Sequence, residues 1–109
     1  MCRALKVLCV AEDAESLAAL KRATVSADWE LAPGATSHAE ALDQLESERP
    51  HVVVVFGAFG PLVAEVRERL PYVRIVADRD LPGASAVATS LAEVRGAVKG
   101  LPRPGGPVR

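Results

Sequence analysis

The sequence predicts a parallel α/β sheet with helices on both faces. Short apolar runs rich in valine alternate with amphipathic segments of helical spacing from about residue 5 to residue 101. One of those runs, Val52 to Val55, is four consecutive valines, and unbroken apolarity of that kind suits a central parallel strand covered on both sides. The chain has 109 residues, 50% of them apolar, which is enough to bury one core and the usual size of one domain.

Taken in order, "KVLCVA" at 6–11 is an apolar run bounded by charge, and its length and valine content favour a buried strand. Asp13 is placed to cap the next segment, in which Leu17, Leu20 and the small Ala14 and Ala18 form the apolar side of a helix ending near Thr24. A short strand, Trp29 to Ala32, stops at Pro33-Gly34. Ser37 and Glu40 have capping-box spacing ahead of Ala41, Leu42 and Leu45, predicting a second helix to about Glu48.

The valine strand follows at 51–56. Leu62, Val63, Val66 and Leu70 make the stripe of a third helix, with Pro61 in its first turn and Pro71 to end it. "YVRIVA" at 72–77 is a fourth strand and "SAVAT" at 85–89 a fifth. Ser90 and Glu93 form a second capping box, and Leu91, Val94, Val98 and Leu101 recur at helical spacing. Only seven residues, Asp78 to Ala84, separate the last two strands, whereas a helical crossover takes about a dozen or more. Seven extended residues reach roughly 23 Å, so a bare loop can return the chain and a packed helix cannot. The fourth helix of a regular alternation is therefore expected to be missing or shortened. The domain is expected to cover 1–101, and 102–109 has the Pro and Gly content of a flexible tail or linker.

Bulk properties exclude several roles. A net charge of −1 from 13 basic and 14 acidic residues offers no field for nucleic acid or an anionic membrane surface. The apolar run 52–59 is interrupted by Gly57 and falls far short of the roughly 18 residues of a membrane span. The N-terminus meets Glu12 and Asp13 too soon for a secretory signal, so a cytoplasmic protein is expected. Arginine outnumbers lysine, alanine is abundant and asparagine is absent, which hints at a GC-rich bacterial genome.

The order of elements, together with "KVLCVAED", "ATSHAEALDQLESERPHVVVVF" and "GASAVATSLAEVRGAV", resembles the receiver domain of bacterial two-component response regulators (CheY-like) from about Leu5 to Leu101. The resemblance implies a flavodoxin-like, doubly wound parallel sheet of strand order 2-1-3-4-5, with sites at the carboxyl ends of the strands. It also implies a phosphoacceptor aspartate ending the third strand, an acidic pair for magnesium after the first, a hydroxyl after the fourth and a lysine after the fifth. In this chain those places fall on Phe56 or Gly57, on Ala11 and Glu12, on Ala77 or Asp78, and near Thr89 or Ser90. Lys99 lies too far along the last helix to substitute. All four departures point to an atypical, degenerate pseudo-receiver without a phosphoacceptor.

Phosphoryl transfer to a carboxylate needs the nucleophile, a divalent cation and donors around the phosphoryl oxygens. Removing the nucleophile alone removes the reaction, so no enzymatic activity and no bound cofactor are expected. Glu12, Asp13 and Asp78 form a residual acidic cluster that offers part of a magnesium site, weakly held because a hard cation wants several oxygens in octahedral order. The plainer and better supported reading is that Asp13 caps a helix and the other two are solvated.

Other chemistry has less support. Cys9 invites comparison with phosphatases that place a cysteine before a phosphate-cradling loop, but "CVAEDAES" presents three carboxylates that would repel phosphate. A buried thiol acting as a small hydrophobe is the alternative. His38 and His51 have no ligand at metal spacing and read as exposed surface residues. "FGAFGP" is no dinucleotide fingerprint.

Loss of the fourth helix would leave Val73, Ile75 and Val87 short of cover, and an exposed apolar patch marks an interface. A protein partner or a second copy is then expected near Val87, Leu91, Val94 and Arg95. The competing expectation is that the short loop and last helix close the gap. The function these readings favour is phosphorylation-independent signalling by protein–protein contact. The alternatives are the regulatory domain of a transcription regulator whose output segment is absent, or a small ligand-binding flavodoxin-like domain.

Overall fold

The computed structural model describes residues 5–27, 29–79, 81 and 83–100. Nine elements follow one another among the described residues: β1 (Leu5–Val10), α1 (Ala14–Thr24), β2 (Trp29–Leu31), α2 (His38–Glu48), β3 (Val52–Val55), α3 (Gly60–Arg69), β4 (Arg74–Ala77), β5 (Ala86–Val87) and α4 (Leu91–Lys99). The strands form one parallel five-stranded sheet in the order β2-β1-β3-β4-β5, a flavodoxin-like arrangement. Among the described residues no helix lies between β4 and β5, as the seven-residue spacing requires. The tail expected at 102–109 lies outside the described residues.

Successive strand side chains point to opposite faces, and here both faces are covered. Val53 and Val55 join Leu8, Val10, Leu45, Leu62 and Val66 under α2 and α3. Val52 and Val54 join Val7, Cys9, Leu20, Val94 and Val98 under α1 and α4. The run of four valines is the sequence consequence of that sandwich, since a strand buried on both sides has no position left for a polar residue.

The caps are built much as the sequence spacing predicts. Ser37 Oγ accepts the Glu40 amide at 3.2 Å, and Glu40 Oε1 in return accepts the Thr36 amide at 2.9 Å. At α4 only the return half is present: Glu93 Oε1 accepts the Thr89 amide at 3.1 Å, with no side-chain bond from Ser90. α3 ends where Arg67 Nη1 donates to the carbonyls of Pro71 and Val73 at 3.2 and 3.0 Å, tying its last turn to the start of β4.

Several expectations need correction. Val73 and Ile75, expected to lack cover, are completely buried. The β4–β5 loop supplies what the absent helix does not: Leu81 packs onto the α2/α3-side core, and Gly83 lies so close to α3 that a Cβ there would meet Arg67 Cγ at 2.7 Å. Val94, expected on an interface, is also fully buried, because α4 turns it inward onto the α1-side core. The histidines are half-buried and bonded, rather than free on the surface. His51 Nδ1 accepts the Lys6 amide at 3.0 Å, and His38 Nε2 meets Glu65 Oε1 at 2.9 Å between α2 and α3.

Candidate functional site

Backbone hydrogen bonds carry the sheet one residue past its strands at the carboxyl edge. The Phe56 amide donates to the Val10 carbonyl (2.9 Å), Asp78 to Val55 (3.1 Å) and Ala88 to Ala77 (2.8 Å). Residues that follow β1, β3 and β4 are thereby set side by side. They open onto a cleft of about 290 Å³ whose rim carries Glu12, Asp78 and Arg79, whose floor includes Phe56 and Gly57, and whose walls are α1 at Ser16 and α4 at Leu91.

Phe56 and Gly57 therefore stand at the end of the central strand, where the sequence comparison puts them. Phe56 packs its ring partly into the α1-side core. Gly57 has φ +129°, and a Cβ built on it would lie 2.5 Å from Glu12 Cγ. Both properties demand glycine, one through backbone conformation and the other through space.

The three acidic residues expected as a residual cluster do not converge. Asp13 turns away as the N-cap of α1, its Oδ1 accepting the Ser16 amide at 2.7 Å. Glu12 reaches across to the β3–α3 loop, where its Oε2 accepts the Ala58 amide at 3.0 Å. Asp78 is paired in bidentate fashion with its neighbour, Arg79 Nε to Oδ1 at 2.9 Å and Nη2 to Oδ2 at 3.1 Å. Among the described residues no group of three or more His, Cys, Asp or Glu is placed to hold a metal ion. Each of the three carboxylates is directed to a separate donor within this chain.

Electrostatics follow those pairings. The Arg79 guanidinium is held above its ordinary value by its hydrogen bonds to Asp78 and the charge of that carboxylate, with Glu12 adding a smaller contribution. The Asp13 carboxyl is held below its usual 3.8, chiefly by the Ser16 amide and then by the Ser16 hydroxyl. A carboxyl that titrates lower in the folded chain stabilises it fully above 3.8 and loses that contribution as pH falls through the lower folded value. A carboxyl-detected NMR titration is expected to place Asp13 below the unfolded reference, and Asp13→Ala is expected to flatten the acid-side decline in stability; an unshifted Asp13 would contradict the capping geometry.

Cys9, beneath this edge, is 1% exposed, and burial pushes its thiol up to about 11. It has the character of a core methyl rather than of a nucleophile. Of the expected interface residues, Val87 and Leu91 remain 42% and 38% exposed and Arg95 is exposed, whereas Val94 is not. Sequence reasoning missed the Asp78–Arg79 pair and the Glu12–Ala58 contact. Adjacency in the chain could have signalled the first; the second needs β1 and β3 to be neighbours in the sheet.

No protein-family model matches the chain, and no curated protein matches its sequence. Solved structures do match its fold. One is the signal receiver domain of an HD domain-containing protein from Pseudomonas fluorescens Pf-5, with TM-score 0.72, 18% identity, and 89% of this chain and 96% of that one covered. Another is the signal receiver domain of the putative response regulator NarL from Mycobacterium tuberculosis, with TM-score 0.72, 18% identity, and coverage of 90% and 95%. An orphan response regulator of H. pylori aligns with TM-score 0.69 at 10% identity, over 87% and 93%. At such identities the likeness concerns architecture, and on architecture this chain has the fold of a response-regulator receiver domain, with Phe56 and Gly57 at the end of its central strand.

Proposed function

We propose that this chain is a receiver-type signalling module that works without phosphorylation and acts by contact with a protein partner or a second copy. The observation that carries the reading is the end of β3. The residues placed there, Phe56 and Gly57, have no carboxylate to accept a phosphoryl group, and no acidic residue occurs between Glu48 and Glu65. Two carboxylates at the same edge, Glu12 and Asp78, are engaged with Ala58 and Arg79. The module is accordingly read as non-enzymatic. A cytoplasmic location belongs to the same reading; among the described residues no helix is long and apolar enough to cross a membrane.

Support for a docking role comes from β5 and the start of α4. Val87, on the two-residue edge strand β5, and Leu91, opening α4, are two of the few large apolar side chains left exposed. Arg95 follows Leu91 by one helical turn, so an apolar spot bordered by a cation is available to a partner. Incubation with acetyl phosphate and magnesium is expected to leave the intact mass unchanged. A phosphoaspartate at any position would end the reading.

A further inference from the structure

α3 differs from the other helices in its start. α1 and α2 have side-chain N-caps from Asp13 and Ser37, and α4 has Glu93 in its first turn. α3 has neither a side-chain cap nor an acidic residue in its first turn, although the amides at a helix start attract negative charge. A carboxylate is nevertheless delivered to the approach of that helix by another element. Glu12, in the β1–α1 connection, extends over Gly57 and accepts the amide of Ala58, two residues before α3 begins.

The path of that side chain is built in. Gly57 carries no Cβ where one would lie 2.5 Å from Glu12 Cγ, 2.8 Å from Cδ and 2.9 Å from Oε2. Gly57 has φ +129°, and the peptide that follows it turns its N–H to the carboxylate. The two residues reach each other because β1 pairs with β3, Val10 lying opposite Val55, so that Glu12 and Gly57 each stand two residues beyond that register.

From these observations we infer that Glu12 is a tethered anion: its carboxylate occupies the Ala58 amide, fixes the β3–α3 loop without any ligand, and keeps external anions off that end of the cleft. Asp78 pairs with Arg79, the one cation on the cleft rim among the described residues. The Ala58 amide and the Arg79 guanidinium are thus satisfied from within the chain. Glu12 acts as a positioning residue for that loop. The latch holds whether or not the exposed start of α4 docks a partner.

The test is solution NMR on the full chain, comparing wild type with Glu12→Ala and Glu12→Gln. Solvent exchange of the Ala58 amide is expected to quicken about fivefold in Glu12→Ala, the change corresponding to one lost hydrogen bond. Glu12→Gln keeps an acceptor oxygen and should restore protection to near the wild-type rate. Millimolar inorganic phosphate should move the Ala58 resonance in Glu12→Ala and leave it in place in the wild type. Unchanged exchange in Glu12→Ala overturns the latch. A phosphate response equal in the two proteins, or absent from Glu12→Ala, overturns the exclusion of anions. Neither readout depends on the proposed signalling role, and phosphorylation of the chain would leave both intact as tests.

Discussion

Leu20→Ala is expected to lower the unfolding free energy by about 3 kcal/mol, within the range for a leucine truncated in a tight core. Leu20 is fully buried on α1 and shares its cluster with Cys9, Trp29, Val54, Val94 and Val98. Its importance follows from the shortness of β5. A two-residue edge strand makes a small contribution to holding α4, so that helix depends on the side chains it presses against α1 and the sheet. Removing Leu20 leaves a void on that contact, which neighbouring β-branched residues cannot fill by changing rotamer. For a domain with an ordinary stability of 5–15 kcal/mol the loss would be a large fraction of the total. Urea denaturation measures it directly, with Tyr72→Ala as a control, since Tyr72 is 66% exposed and should change stability by about 0.5 kcal/mol or less. A loss below about 1 kcal/mol for Leu20→Ala would mean that α4 is not anchored on α1.

Gly57→Ala is the second large effect, expected to cost about 2–3 kcal/mol. Most of that is backbone strain, because φ +129° is a region that residues with a Cβ rarely adopt. The remainder comes from Glu12, which must leave the Ala58 amide to make room for the new methyl group. The two contributions separate in a double-mutant cycle. In a Glu12→Ala background the displacement contribution vanishes, so Gly57→Ala should cost less there by up to about 1 kcal/mol. Strict additivity of the two substitutions would show that the glycine is required by the turn alone and not by the side chain crossing it.

Much of the fold was legible because it rests on local rules. Asp13 and Ser37 announce helix starts, Pro61 and Pro71 bracket α3, and each cap or proline acts within a few residues of its own position. The valine strand is legible for the same reason: a chain of alternating faces with no polar residue must be covered on both sides. The spacing of seven residues before Ser85 ruled out a full crossover helix by reach alone. The site was legible in outline, since the end of β3 was placed at Phe56 and Gly57, and both line the cleft. The directions of its side chains were not, because a carboxylate turns toward whichever donor the fold brings near it. Asp13 finds Ser16 on its own helix, and Glu12 finds Ala58, 46 residues away in sequence. The same holds for the supposed gap beside β4: that Leu81 and Gly83 would fold onto α3 and bury Val73 and Ile75 depends on the packing of a loop with no periodic pattern.

By itself, then, the sequence determined the alternating α/β class, the covered central strand, the missing crossover helix and the absence of a carboxylate at the end of β3, all of which depend on composition, period or chain length. Tertiary structure alone decided that the acidic residues are partnered separately, that Val94 points inward while Leu91 remains exposed, and that Glu12 crosses Gly57 to reach the α3 approach. Those outcomes depend on contacts between segments far apart in the chain, set by the register of β1 on β3 and by which faces of the helices the sheet can bury.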